Sequence, residues 1–140
     1  MKLRFKALSR LVFVAMLCVA LLTSCGSQKL SEDFNEDEVR SAAENVIALI
    51  NNQDSEGLKE ICTVQMKQAL TDDVLEQIFE AIAEGGEFQE VTEMSLGGTK
   101  DKASEEEFAV VIAKAKYEIK TFTYTISFTK QMKLAGLYYR

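Results

Sequence analysis

Three cysteines, four tyrosines and a run of glutamates are the reactive side chains of this 140-residue sequence, and no histidine accompanies them. Without histidine the chain lacks the usual general base near neutral pH and the commonest metal ligand. Cys62 lies in an apolar helical stripe with nothing to activate it, so a buried structural thiol is expected rather than a nucleophile. Tyr117, Tyr124, Tyr138 and Tyr139 can donate hydrogen bonds, although tyrosines in strands more often serve packing. The run Glu105-Glu106-Glu107 lacks the spaced ligands and glycine of a calcium loop and reads as a solvated turn. Gly97-Gly98-Thr99-Lys100 lacks the spacing and the Gly-Lys-Ser/Thr order of a phosphate loop and reads as a hairpin turn. No catalytic residue, metal ligand or cofactor is expected.

Cys25 is a different case because of what precedes it. Met1–Arg10 carries four basic side chains and no acidic ones, Leu11–Leu22 is an unbroken apolar run, and small polar residues follow. That is the layout of a secretory signal. The apolar run is short of the ~20 residues a transmembrane helix wants. The sequence Leu22-Thr23-Ser24-Cys25 resembles the bacterial lipobox. The resemblance implies that the Cys25 thiol takes a diacylglyceryl group and that a peptidase then cuts between Ser24 and Cys25. Two acyl chains give stable anchoring where one gives only marginal binding. The alternative is an ordinary signal peptide with an incidental cysteine, cut after Gly26. An extracytoplasmic chain, held through lipid on Cys25 to the cell membrane or to the outer membrane of a two-membrane host, is therefore expected.

After residue 24 the chain holds 12 basic against 22 acidic side chains, a net charge of −10. Such a domain is repelled by nucleic-acid phosphates and by anionic headgroups, so nucleic-acid binding is disfavoured. If the leader with Cys18 is removed and Cys25 is acylated, Cys62 is the one remaining thiol and no internal disulfide can form. Three segments are expected: a signal peptide over 1–24, a lipidated polar tether over 25–34, and one domain over 35–140.

Within that domain Asn35 can cap a helix whose first turn holds Glu36, Asp37 and Glu38, with Val39, Ala42, Ala43, Val46, Ile47 and Ile50 as its apolar stripe and Asn51-Asn52 closing it. A second helical stretch follows Asp54, with Thr63-Val64 able to bend or split it. Thr71 caps a third, closed by Gly85-Gly86. From Phe88 the period changes, and strands are expected over 88–96, 108–118, 121–129 and 132–139. Thr121–Thr129 alternates, with Phe122, Tyr124, Ile126 and Phe128 on one side and threonines on the other. Three helices followed by four antiparallel strands make an α+β fold, helices on one sheet face. The aromatic side of the third strand should meet the helices, leaving the threonine side to water or a partner subunit.

The stretches Glu106–Glu118 and Phe122–Arg140, with the ending Met132-Lys133-Leu134-Ala135-Gly136-Leu137, resemble a bacterial family designated domain of unknown function 3887. The family is found as small lipoproteins and ahead of hydrolase domains, and is similar to the nuclear-transport-factor-2-like, cystatin-like superfamily. That likeness implies a cone-like curved sheet wrapped round helices, often with a pocket. Many superfamily members have a strand between the second and third helices, which is not evident here. Superfamily enzymes often use an Asp–His pair, which this chain cannot supply. On this resemblance Phe122, Tyr124 and Phe128 would floor a concavity with Phe79 and Ile82 opposite, unless the core is filled. Three functions follow as expectations: a non-enzymatic module binding a small apolar or aromatic ligand, a homodimerisation or docking module using the Thr121/Thr123/Thr125 face, and a weak enzyme of tyrosine and carboxylates.

Overall fold

The computed structural model describes residues 28–140. Ser24, Cys25 and the segment 1–24 lie outside the described residues. Among the described residues four helices come first: α1 (Glu36–Asn51), α2 (Ser55–Ile61), α3 (Val64–Ala69) and α4 (Asp72–Ala83). Four strands follow, β1 (Phe88–Lys100), β2 (Glu107–Tyr117), β3 (Thr121–Phe128) and β4 (Leu134–Tyr139). They form one antiparallel meander in the order β1-β2-β3-β4.

Each helix begins at a side-chain cap. Asn35 Oδ1 accepts from the Glu38 N–H at 3.1 Å, and the three acids that follow face the positive end of α1. Asp54, Thr63 and Thr71 cap α2, α3 and α4 in the same manner. The helix count corrects the expectation of three. Cys62 and Thr63 take extended backbone angles, and the Thr63 N–H leaves the helix to bond the Leu134 carbonyl at 2.9 Å. Thr63 then caps α3, so the second stretch becomes two helices. Cys62 makes a one-residue parallel bridge to Leu134 of β4 at the break.

Strand β1 runs farther than the residues 88–96 expected of it. Gly97 and Gly98 pair with Val110 and Ala109, so they belong to the strand, and the turn is confined to Asp101–Glu106. Gly98 serves a close approach. A Cβ there would stand 2.8 Å from the Lys29 carbonyl oxygen, because the chain at Gln28–Leu30 lies against it and the Gly98 N–H bonds the Gln28 carbonyl at 2.8 Å. Leu30 and Phe34 pack into the core, and Lys130 joins Asp33 at 2.7 Å and Glu107 at 3.2 Å. Of the segment expected to be a tether, the described part is thus packed onto the sheet.

The core lies between α1 and the inner sheet face. Val39, Ala43, Val46, Ile47 and Ile50 of α1 are buried, and α1 packs over β1 and β2. Beneath it β2 presents Ala109, Val111, Ala113 and Ala115, all fully buried, whose small side chains admit a helix at close range. Phe122, Tyr124, Ile126 and Phe128 point the same way from β3 and are buried, while Thr121, Thr123 and Thr125 stay on the outer face, Thr121 exposed and the other two partly so.

Candidate functional site

Asn51, the last residue of α1, stands at one end of the domain, where α4 also ends and where β1 begins beside the end of β2. The turn after α4 locks these elements together. Gly86 adopts φ 83°, a left-handed conformation open to glycine, and ends the helix. The Ile119 N–H bonds the Gly85 carbonyl at 2.8 Å and the Glu118 N–H bonds the Glu87 carbonyl at 3.0 Å, tying the β2–β3 turn to the end of α4. Gly85 itself lies against the Phe122 ring, which a Cβ would meet at 2.6 Å.

Between these elements opens a cleft of about 390 Å³. Phe79, Ile82, Phe88 and Tyr117 give it apolar walls, and Asn51, Asn52, Gln53 and Glu87 supply polar groups. A second depression of about 440 Å³ shares Asn51, Asn52 and Phe88 and continues between α1 and β1 past Glu44 and Glu90. Aromatic rings lead inward from the cleft in edge-to-face contacts: Phe88 to Tyr117 at 5.5 Å, Tyr117 to Phe122 at 5.3 Å, and Phe122 to Tyr139 at 6.4 Å.

A line of polar groups crosses this aromatic wall. The Tyr117 hydroxyl donates to Asn51 Oδ1 at 2.5 Å and lies 2.8 Å from the Tyr124 hydroxyl. Since its proton is committed to Asn51, it accepts the proton of Tyr124. The relay Tyr124→Tyr117→Asn51 fixes the Asn51 amide, with its oxygen turned inward and its NH₂ left as the remaining donor. Tyr124 is 0 % and Tyr117 3 % exposed, so the relay is buried up to its last member.

The family described as protein of unknown function (DUF3887) matches residues 43–137, a span holding α1 from Ala43 onward and nearly all of the sheet. The chain belongs to this family. The NMR structure of a protein from Ruminococcus gnavus ATCC 29149 shares the fold, with TM-score 0.71 and 23 % identity over 80 % of this chain and 96 % of that one. No curated protein matches.

In this DUF3887 member the residues expected to line a pocket divide into two groups. Phe79 and Ile82 do line the cleft. Phe122, Tyr124 and Phe128 do not line it and pack in the core. Rings of that size on the inner face of β3 fill the core rather than floor a cavity. Phe88, Tyr117 and Asn51 line the cleft and had not been placed there from sequence. From sequence Asn51 signals only a helix end, and its partner lies 66 residues away. Cys62 is buried, its thiol donates to the Leu58 carbonyl at 3.0 Å, and burial raises its pKa, all of which suit an inert packing role.

Burial pushes the Tyr124 hydroxyl far above the usual tyrosine range, and its bond to Tyr117 adds to the shift. Burial also raises Tyr117, against smaller lowering by its bonds with Tyr124 and Asn51. The folded chain therefore keeps both protons where the unfolded chain, with tyrosine pKa near ~10, gives them up. The stability they contribute is complete below the unfolded pKa and is lost as pH rises beyond it, with a slope that approaches roughly 1.4 kcal/mol per pH unit for Tyr124. Urea unfolding of the wild type between pH 10 and 11 should show this fall, and Tyr124→Phe should show a visibly shallower one. Equal slopes in the two proteins would contradict a buried Tyr124 hydroxyl.

Proposed function

We propose that this chain is a lipid-anchored, extracytoplasmic, non-enzymatic binding module whose Asn51–Tyr117 cleft takes a small apolar or aromatic ligand. The relay behind the cleft carries this reading. Two buried hydroxyls are used to hold one amide at the mouth of an otherwise aromatic wall, an arrangement suited to orienting a ligand. Because Oδ1 of Asn51 is taken by Tyr117, the group offered outward is a donor, which pairs with a carbonyl or ether oxygen on the ligand. Glu44, Glu87 and Glu90 at the rim make an anionic ligand a poor fit. Both relay tyrosines hold their protons at neutral pH, so they act as donors and do not serve as general bases. Helices packed on one face of an antiparallel meander also suit the nuclear-transport-factor-2-like superfamily, and we carry that wider kinship and its cone-like form as part of the proposal.

Native mass spectrometry on residues 26–140, purified without the anchor, tests the ligand. A mass excess that disappears in Asn51→Leu supports the cleft as the binding site. A protein that stays bare after incubation with cell extract, while folded, counts against it. A second reading has its own observation. Ile112 is 44 % and Tyr138 65 % exposed, and they flank Thr125 in one cross-strand row of the outer face. A ligand-free dimer that Thr125→Lys dissociates would move the function to that face.

A further inference from the structure

Phe88 is 36 % exposed at the start of β1, a large apolar ring left at the mouth of the cleft. The cleft is the middle one of three joined depressions. It shares Asn51, Asn52 and Phe88 with the depression past Glu44 and Glu90, and Gln53 and Phe79 with a third, of about 340 Å³, along α4. An aromatic ring therefore stands at each junction.

The charged side chains that line this groove are all of one sign. Glu44, Asp72, Glu76, Glu80, Glu87 and Glu90 line it, and no lysine or arginine does. The basic side chains around it are largely taken up. Lys59 bonds Asp72 at 2.5 Å, Lys120 bonds Glu84 at 3.4 Å and Lys114 bonds Glu93 at 2.9 Å, while Lys116 is the cross-strand partner of Glu90. Glu44, Glu76, Glu80 and Glu87 are left without an ion-pair partner among the described residues. Two helices also end here, α1 at Asn51 and α4 at Ala83, and neither has a basic side chain in its last turn. The chain itself thus leaves the negative end of each helix dipole uncompensated.

Aromatic faces, helix C-termini and carboxylates each favour positive charge, and each by different physics. They do not suit a metal ion, because no three acidic side chains among the described residues converge as ligands. Apolar walls suit instead a cation whose charge is spread over carbon. We propose that the cleft selects a small organic cation, a quaternary or alkylated ammonium, with its charged end against Phe88, Phe79 and the rim carboxylates. A carbonyl or ether oxygen on the same molecule takes the hydrogen bond of the Asn51 amide. The inference rests on the binding reading above and adds to it the sign of the ligand's charge.

Titration calorimetry tests it, on the full chain purified from its host in an uncharged detergent. The probes are acetylcholine and 3,3-dimethylbutyl acetate, which match in shape and ester oxygens and differ in charge. Acetylcholine should bind about tenfold more tightly. Glu80→Gln/Glu87→Gln should cut that preference to about threefold or less while leaving affinity for the neutral ester unchanged. The Glu87 backbone carbonyl, and not its side chain, ties the turn to Glu118, so the fold survives the change. Equal affinity of the wild type for the two probes overturns the charge selection and leaves the cleft as a binding site. A preference for acetylcholine that both Glu80→Gln/Glu87→Gln and Phe88→Ala leave intact overturns it too, since the cation then sits elsewhere. Absence of heat from both probes at millimolar concentration also overturns it. The native mass measurement then separates the two failures: a mass excess that Asn51→Leu removes keeps the cleft, and a bare protein loses both.

Discussion

Replacing Cys25 by alanine is expected to abolish incorporation of labelled fatty acid into the chain and to leave the leader of 24 residues attached. Both effects follow from the order implied by the lipobox, in which acylation of the thiol precedes the cut before Cys25. Alanine has no nucleophile to acylate, so the loss is complete and not graded. In the proposed anchor two acyl chains would hold the wild type, each contributing about 0.8 kcal/mol per buried methylene. Little else would hold the mature chain to a bilayer, because its net charge of −10 opposes approach to anionic lipid. No helix among the described residues is long and apolar enough to cross a membrane. The measurement is acyl labelling with intact mass. Wild type should carry label at the mass of the processed chain, and Cys25→Ala should be unlabelled at the mass of the precursor. Label retained on the alanine variant would place the lipid elsewhere and overturn anchoring through Cys25.

Most elements of this fold follow from periodicity and caps that are local in sequence. The stripe Val39–Ile50, the alternation Phe122–Phe128 and the caps Asn35 and Thr71 each act over fewer than four turns or one strand, and each takes the expected form. The departures are long-range. The split at Cys62–Thr63 depends on the Leu134 carbonyl 71 positions later, which offers the Thr63 N–H a partner better placed than the helix does. Gly97-Gly98 looks like a turn until the chain at Gln28–Leu30 is seen to need a residue without a Cβ beside it. The relay joins positions 51, 117 and 124, and no spacing rule reaches across that interval. The same limit explains the pocket. Alternation shows that Phe122, Tyr124 and Phe128 point inward, but whether an inward face is filled or hollow depends on how closely the other elements pack on it, which the strand's own pattern does not carry.

Phe128→Ala should then be among the most destabilising single changes in the domain, and Phe79→Ala should not. Phe128 is 1 % exposed, pairs with Ala109 of β2 and Leu134 of β4, and has backbone ladders on both sides. Strands bonded on both flanks cannot collapse into the space a lost ring leaves, so the cavity cost adds to the transfer cost, about 3–5 kcal/mol in all. Against a total stability of roughly 5–15 kcal/mol, that moves the urea midpoint by a large fraction of its value or leaves the chain unfolded. Phe79 sits half-buried on α4 at the cleft wall, where water can occupy the volume vacated, and its loss should cost only about 1 kcal/mol. Its effect belongs to binding: any ligand mass carried by the wild type should fall away in Phe79→Ala while the unfolding curve barely shifts. Comparable destabilisation by the two substitutions would mean that Phe79 is a core residue and the cleft a surface irregularity. A large difference in stability, paired with loss of ligand in the mutant that stays stable, would separate the aromatics that hold the fold from those that face what it binds.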